Sequence, residues 1–346
     1  MLYIRHGRPL SIFTKSFFVK QAQRQFISRT PIAMSTSTFS GSPLTIPPSP
    51  KPRPSASVII VNERNEILLV HRNPRATAFG GMHVFPGGNF DGKQDSNLAM
   101  TAIRETFEES GLLLVSPKSG SSSDLPSEQV LDELRTSIHQ QKLQFRYFLS
   151  SARLEPEVQS LLPFTQWVTP IGPPKRFHTQ FYVAFLPAAP SSGFSSGSKQ
   201  ERIPKHDGGQ EVIEARFVHP RVALDECREG KIRFMPPQFY ILSTLADILE
   251  GPSNTADQRR KVETLSSGSF GRMVINPRRH ENDENGRWIL TFEGDETRGG
   301  SKDRKHRVLV KMEKGLASEI FMIRNFDIFE DIESHLFTVP PLPAKL

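Results

Sequence analysis

Ordered hydrophobic patterning begins at about Ser55. Ser57–Val61 is a short β-branched run, Asn62–Asn65 is turn-like, and Glu66–Arg72 is a second apolar run, so a β-hairpin is predicted. Asn73 to Asp95 is rich in Gly and Pro and reads as a loop. Apolar positions at helical spacing predict a helix over Asn97–Ser110, with Ser96 as its N-cap and Gly111 as its stop. A second helix is predicted over Ser127–Gln140, after the polar loop Ser116–Pro126. Strands follow at 166–169, 179–186 and 211–218, and helices at 221–229 and 237–250. Gly251 to Asn285 reads as a polar stretch. Three β-like runs, 287–292, 306–312 and 319–324, close the pattern, with turns at 293–296 and 298–300. No internal repeat is present. The mixture predicts a layered α/β (α+β) domain over 55–250 with mixed strand pairing, and a small β-rich addition over 257–346.

The flanks differ from this body. Residues 1–33 carry six Lys or Arg and no acid, mixed with apolar clusters such as Phe17-Phe18-Val19. That is the composition of a mitochondrial presequence; the alternative is an extension upstream of a start at Met34. Residues 34–54 are Ser/Thr/Pro-rich and predict a disordered linker, and Ala188–Gly209 predicts a mobile Ser/Gly/Lys-rich insertion. The net charge of +7 owes six of its 44 basic residues to 1–33, leaving 38 basic against 37 acidic in the rest. The basic balance therefore gives no argument for a nucleic-acid partner. No stretch approaches the roughly 18–20 apolar residues of a membrane helix. The single cysteine, Cys227, excludes an intrachain disulfide and argues against a thiolate zinc site.

The segment with chemical content runs from Phe85-Pro86-Gly87-Gly88 to Arg104-Glu105-Thr106-Phe107-Glu108-Glu109-Ser110-Gly111-Leu112. On a helix Glu105, Glu108 and Glu109 stand at i, i+3 and i+4, so three carboxylates share one face. Their repulsion destabilises the helix unless a cation sits among them, and clustered hard oxygens favour Mg²⁺ or Mn²⁺. The glycine pair allows backbone groups to approach a metal or a phosphate closely. Spacing alone leaves a second possibility open, a solvated acidic helix face.

This segment resembles the Nudix box, Gly-x5-Glu-x7-Arg-Glu-U-x-Glu-Glu-x-Gly-U with U apolar. Arg104–Leu112 matches the second half, with Thr106 at the first U. The first half departs: Gly88 lies sixteen residues before Arg104 instead of fourteen, and Asp91 and Asp95 stand near the place of the early glutamate. Surrounding motifs, His83–Asp91, Arg176–Phe181 and Gly230–Pro237 among them, look like the peroxisomal acyl-CoA diphosphatase branch of the family. The resemblance covers about residues 56–250. It implies an α/β/α sandwich around a mixed sheet, and Mg²⁺- or Mn²⁺-dependent attack of water on a diphosphate. It further implies that Glu105, Glu108, Glu109 and the Gly88 carbonyl ligate metal and that Arg104 holds the glutamates. The implied substrate is coenzyme A or acyl-CoA, cleaved to adenosine 3′,5′-bisphosphate and (acyl-)4′-phosphopantetheine. NADH or ADP-ribose hydrolysis, and a non-catalytic nucleotide-binding module, are the competing expectations.

The general base is open between a helix glutamate and Glu211. Arg72, His83 and Arg176 are the candidate substrate contacts, although Arg176 also suits a solvated surface and His83 suits packing beside the glycine turn. His178 and His206 show no ligand-spaced partners, and Cys227 reads as structural. The end Ala344-Lys345-Leu346 is a variant of the peroxisomal Ser-Lys-Leu address, read by the import receptor, whereas 1–33 points to mitochondria.

Overall fold

The computed structural model describes residues 50–76, 78–119, 126–186 and 211–329. The segment 1–33, most of 34–54, the insertion at 188–209 and the Ala344-Lys345-Leu346 end lie outside the described residues. The hairpin prediction holds only at its base. Strand β1 (Arg53–Val61) and strand β2 (Ile67–Arg72) are paired at Val61 and Ile67 and then diverge. The edges they open are taken by two short strands inside the predicted loop. Strand β3 (His83–Val84) pairs with β2, and strand β4 (Gly87–Asn89) pairs antiparallel with β1. The chain crosses the opening at Pro86, whose carbonyl accepts from the Val58 amide (3.0 Å) and the Ser57 hydroxyl (2.8 Å). This wedge carries the glycine pair into the middle of the sheet.

The other edge of β1 pairs in parallel with β8 (Phe177–Phe185), next to β7 (Leu162–Val168) and the two-residue β10 (Val274–Ile275), while β9 (Val212–Val218) runs antiparallel to β2. A mixed sheet results, as expected. Along β1, Val58 and Ile60 face one buried layer and Ile59 and Val61 the other, the alternation of a strand covered on both sides. Helices α1 (Leu98–Ser110), α2 (Glu128–His139) and α3 (Phe145–Ser151) cover the first face through Ile103, Phe107, Leu131, Phe145 and Phe148. Helices α4 (Pro220–Arg228), α5 (Pro236–Ala246) and α6 (Ala256–Ser267) cover the second through Leu224, Ile241, Leu245 and Val262. This is the expected sandwich. A small sheet of β5 (Val115–Pro117) and β6 (Leu154–Pro156) flanks the first layer.

Two differences have local causes. Asn97, one residue after the expected Ser96, caps α1, its side-chain oxygen accepting from Met100 N at 2.9 Å; Gly111 ends the helix in the left-handed region (φ 70°) as predicted. The stretch from Gly251 to Asn285 is not irregular. It holds α6, started by a reciprocal Thr255/Gln258 capping box, then α7 (Ser269–Arg272) and strands β10 and β11 (Arg278–Asn282). α6 buries little more than Val262, Leu265 and Ser266, so its apolar period is too thin to see.

The three predicted C-terminal runs are strands β12 (Trp288–Thr291), β13 (His306–Glu313) and β14 (Leu316–Arg324), and β11 completes an antiparallel sheet of four. Leu290, Val308, Val310 and Ile320 join the buried cluster that contains Ile59 and Val183. At that junction His306 Nδ1 donates to the Glu293 carbonyl (2.7 Å) and its Nε2 accepts from the Tyr240 hydroxyl (2.8 Å). Burial holds this imidazole neutral, its pKa pushed down to about 3. Among the described residues no helix is long and apolar enough to cross a membrane.

Candidate active site

Helix α1 lies across the wedge with its acidic face toward the glycine pair. Gly88 leaves no space beyond its Cα: a Cβ there would stand 2.4 Å from Glu105 Cδ. The Gly87 amide donates to Glu109 Oε2 at 3.0 Å, and Arg72, at the end of β2, donates from Nη1 to Glu109 Oε1 at 3.1 Å. The Glu109 carboxylate is thus fixed from the turn and from the sheet. Glu105 and Glu108 are held by one guanidinium group, Arg104 Nη1, at 2.8 and 2.9 Å.

Arg104 is itself anchored by Asp95. Nε to Oδ1 and Nη2 to Oδ2 are both 2.8 Å, a bidentate pair with the Asp95 side chain wholly buried. Asp95 Oδ2 also accepts from the Thr101 hydroxyl (2.9 Å) and the Asp91 amide (3.0 Å). Burial lowers the Arg104 pKa, but Asp95, Glu105 and Glu108 outweigh it and hold the group above its ordinary value. Burial pushes both Glu105 and Glu109 above the ordinary carboxylate range. Glu109 reaches about 7, with Arg72 and the Gly87 amide opposing the rise and Glu211 and Glu108 adding to it. Carboxyls so placed are poor anions on their own and good ligands for a cation. The donor set, all oxygen and anionic, and the Gly88 cradle fit a hard divalent ion.

A family model described as the NUDT19 Nudix domain matches residues 92–245. The acyl-coenzyme A diphosphatase NUDT19 of Xenopus laevis is 31% identical over 156 residues, 42% of this chain and 38% of that protein. The Gallus gallus protein of the same name is 29% identical over 163 residues, 42% of this chain and 39% of its own length. The matched region therefore spans about two fifths of these relatives. A crystal structure of a Nudix hydrolase from Alicyclobacillus acidocaldarius superposes with a TM-score of 0.50 at 23% identity, covering 63% of this chain and 98% of that one. Residues 92–245 thus resemble the NUDT19 branch of the Nudix domains, and the fold is that of a Nudix hydrolase. Nudix hydrolases generally use divalent metal ions, and the box glutamates are where such an ion would sit.

Not every residue singled out in the sequence reaches this site. Glu211 does: its Oε2 is 3.7 Å from Arg72 Nη2, across that guanidinium from Glu109, and its side chain is half exposed. Arg176, just before β8, gives its Nε to the Thr169 carbonyl and an Nη1 hydrogen to the Pro50 carbonyl, both at 3.0 Å, so it braces a turn beside the sheet end. His83 does not reach the site. Val70 and Val84 pack in the layer of α1, so their neighbours His71 and His83, at the next positions of paired strands, turn to the opposite face. A substrate contact of His83, as expected from the sequence, would lie on the face away from the glutamates. There the two rings stack, with centroids 4.3 Å apart and planes 13° from parallel, and burial first, then His71 and Arg216, lower the His83 pKa to about 4. Cys227 is a half-buried thiol on α4. His178 Nε2 lies 2.7 Å from Gln166 Oε1.

Sequence reasoning missed three contributors: Asp95 as the anchor of Arg104, the Gly87 amide, and helix α2. Arg135 Nε donates to the Glu108 carbonyl at 2.8 Å, and His139 Nδ1 lies 3.8 Å from Glu108 Oε2. Arg135 and His139 are four apart on the predicted helix, a signal that one face carries two nitrogen groups. Which element that face meets is a tertiary fact.

Proposed function

We propose that the chain hydrolyses the diphosphate of coenzyme A or an acyl-CoA to adenosine 3′,5′-bisphosphate and (acyl-)4′-phosphopantetheine. The observation that carries the reading is the seating of Glu105 and Glu109 on Gly88 and Gly87, with Arg104 clamped by Asp95 behind them. The names of the Xenopus and Gallus relatives support the choice of substrate. Glu105, Glu108, Glu109 and the Gly88 carbonyl would hold Mg²⁺ or Mn²⁺, which, when bound, lowers the pKa of an attacking water and neutralises charge on the diphosphate.

The chain's own groups have separable tasks. Arg104 spreads one positive charge over Glu105 and Glu108 and keeps those two carboxylates from splaying. Arg72 orients Glu109 and offers its second face toward Glu211. Glu211 stands outside the box, half exposed beside Arg72, which supports it as the acceptor of the attacking water's proton, with a helix glutamate as the alternative. A carboxylate fits that role because its conjugate acid can release the proton to solvent after each turnover. The location we propose is the peroxisome, with the mitochondrion or both as the alternative.

The test is incubation of the purified chain with CoA and Mg²⁺ or Mn²⁺, products separated by chromatography, with NADH and ADP-ribose in parallel. Adenosine 3′,5′-bisphosphate that disappears in Glu109→Gln is the expected result. Turnover of NADH or ADP-ribose without CoA cleavage would discard the substrate and keep the site. Activity that survives both Glu105→Gln and Glu109→Gln would remove the metal assignment. For Glu211→Gln the expected change is in kcat and its pH profile, with KM little altered.

A further inference from the structure

On the sheet face opposite the box glutamates, three adjacent strands place two imidazoles and a carboxylate in one row. Register sets the row: His83 of β3 is the cross-strand partner of His71 of β2, and His71 is the partner of Glu214 of β9. One potential ligand atom from each residue lies within 4.8 Å of the other two. We propose that His71, His83 and Glu214 bind a transition-metal dication of the zinc class, at a site separate from the box and independent of the proposed CoA activity.

Four observations carry this. The donor set is two imidazoles and one carboxylate, which suits Zn²⁺ and its neighbours, whereas the all-oxygen box suits Mg²⁺ or Mn²⁺. His83 is 7% exposed, yet its Nδ1 is buried with no hydrogen-bond partner among the described residues. A buried ring nitrogen without a partner is destabilising, and a metal ion would supply one. Two cations beside the row have acidic partners, Arg216 with Glu226 of α4 and Lys231 with Glu229 at 2.6 Å, and a third, the exposed Arg233, lines the cavity. Finally, His71 and His83 line a cavity of about 320 Å³ with Gly80, Gly81 and Gly230, which leaves room for a fourth ligand, water or an anion. In a tetrahedral site zinc bonds of about 2.0–2.2 Å hold ligand atoms about 3.3–3.6 Å apart. The three atoms, now within 4.8 Å of one another, close on the ion by up to about 1.5 Å through rotation of the exposed Glu214 side chain and a turn of the half-buried His71 ring out of its stack on His83.

Such an ion would tie edge strand β3 to β2 and β9. His71 is bonded to Arg72, whose guanidinium holds Glu109 on the other face, so the ion would also fix the backbone that carries this arm of the box. It acts on the box by positioning and makes no contact with the reacting atoms.

The experiment uses the full chain without an affinity tag, stripped with chelator and kept in Mg²⁺ to fill the box. Co²⁺ is added as the probe and its visible d–d bands are recorded, then displaced with Zn²⁺ followed by calorimetry. The expected result is one tight equivalent with tetrahedral-type bands. These are retained in Glu105→Gln/Glu109→Gln, lost in His71→Asn and His83→Asn, and weakened at least about tenfold in exposed Glu214→Gln. Circular dichroism and the melting temperature of each variant are measured alongside. Because Glu214 is exposed, its variant tests the site even where a histidine variant fails to fold. Absence of a tight equivalent in the unsubstituted chain, bands that vanish with the glutamate pair, or binding unchanged in Glu214→Gln would each overturn the proposal.

Discussion

Replacing Asp95 by Asn tests the claim that the box is built on a buried ion pair. The carboxylate accepts four hydrogen bonds: Arg104 Nε on Oδ1, and Arg104 Nη2, the Thr101 hydroxyl and the Asp91 amide on Oδ2. Asparagine has one acceptor atom to offer. With its oxygen in the Oδ2 place it keeps three donors and turns its NH₂ against the Arg104 Nε–H. With its oxygen in the Oδ1 place it meets Arg104 Nη2–H and the Asp91 N–H donor to donor, and only the Thr101 hydroxyl can rotate away. The first arrangement is the better one. It loses one charge-assisted bond, worth about 1.5–3 kcal/mol, and the negative charge beside a buried guanidinium.

Removing one partner of a buried pair destabilises by about 3–5 kcal/mol. Glu105 and Glu108 still contact Arg104 Nη1, so the low end, about 3 kcal/mol, is expected. For a domain of this size that is a fall in melting temperature of about 6–12 °C. Thermal unfolding and urea titration, each in EDTA and again in saturating Mg²⁺, measure it. The loss is expected in both conditions, because Asp95 lies behind Arg104 and away from the metal face. The metal concentration for half-maximal activity is expected to rise as well. A loss under about 1 kcal/mol in EDTA would refute the anchoring role, and a loss seen only with Mg²⁺ would make Asp95 a metal-side residue instead.

Gly88→Ala puts a Cβ into the end of a flexible Glu105 side chain, so activity should fall by at least about tenfold while the melting temperature moves by a few degrees at most; both are read on one preparation. Gly87→Ala differs, since its Cβ would meet backbone, Ala56 O at 2.4 Å and Ser57 Cα at 2.6 Å, and loss of soluble folded protein is the expected outcome of expression trials. The raised Glu109 carboxyl is neutral in the fold at low pH, so without metal its contribution is intact below the unfolded value of 4.5 and is lost as pH rises to about 7. The rise in melting temperature on adding Mg²⁺ should therefore grow across that window, and a gain independent of pH would contradict the burial argument. Thr255→Ala removes the capping box of α6 and should destabilise by about 1 kcal/mol without changing activity, measured by urea unfolding.

Much of the box was legible because it is local. The i, i+3, i+4 spacing puts Glu105, Glu108 and Glu109 on one helix face whatever the rest of the chain does, and Gly111 stops that helix through its own backbone preference. A layered α/β domain was legible for a related reason, since β-branched runs alternating with helical periods admit few layer arrangements, while the sandwich itself was implied by the Nudix resemblance. The short strands β3 and β4 were hidden in a Gly/Pro-rich loop because two or three residues carry no period of their own. They are strands only because β1 and β2 diverge and leave edges to be filled.

The same reasoning explains why the sequence did not reveal which face His83 takes or that it pairs with His71. A strand sends successive side chains to opposite faces, so one step in register decides whether a residue meets the glutamates or faces away from them. The sequence puts His71 and Arg72 side by side as if they served one site. The pairing with Val84 fixes Val70 toward α1; Arg72 then follows Val70 to that face and reaches Glu109, and His71 must take the other. Two chemically different donor sets thus form on the two sides of one strand. The all-oxygen set needed only a helix to be seen, while the imidazole set needed three strands in register.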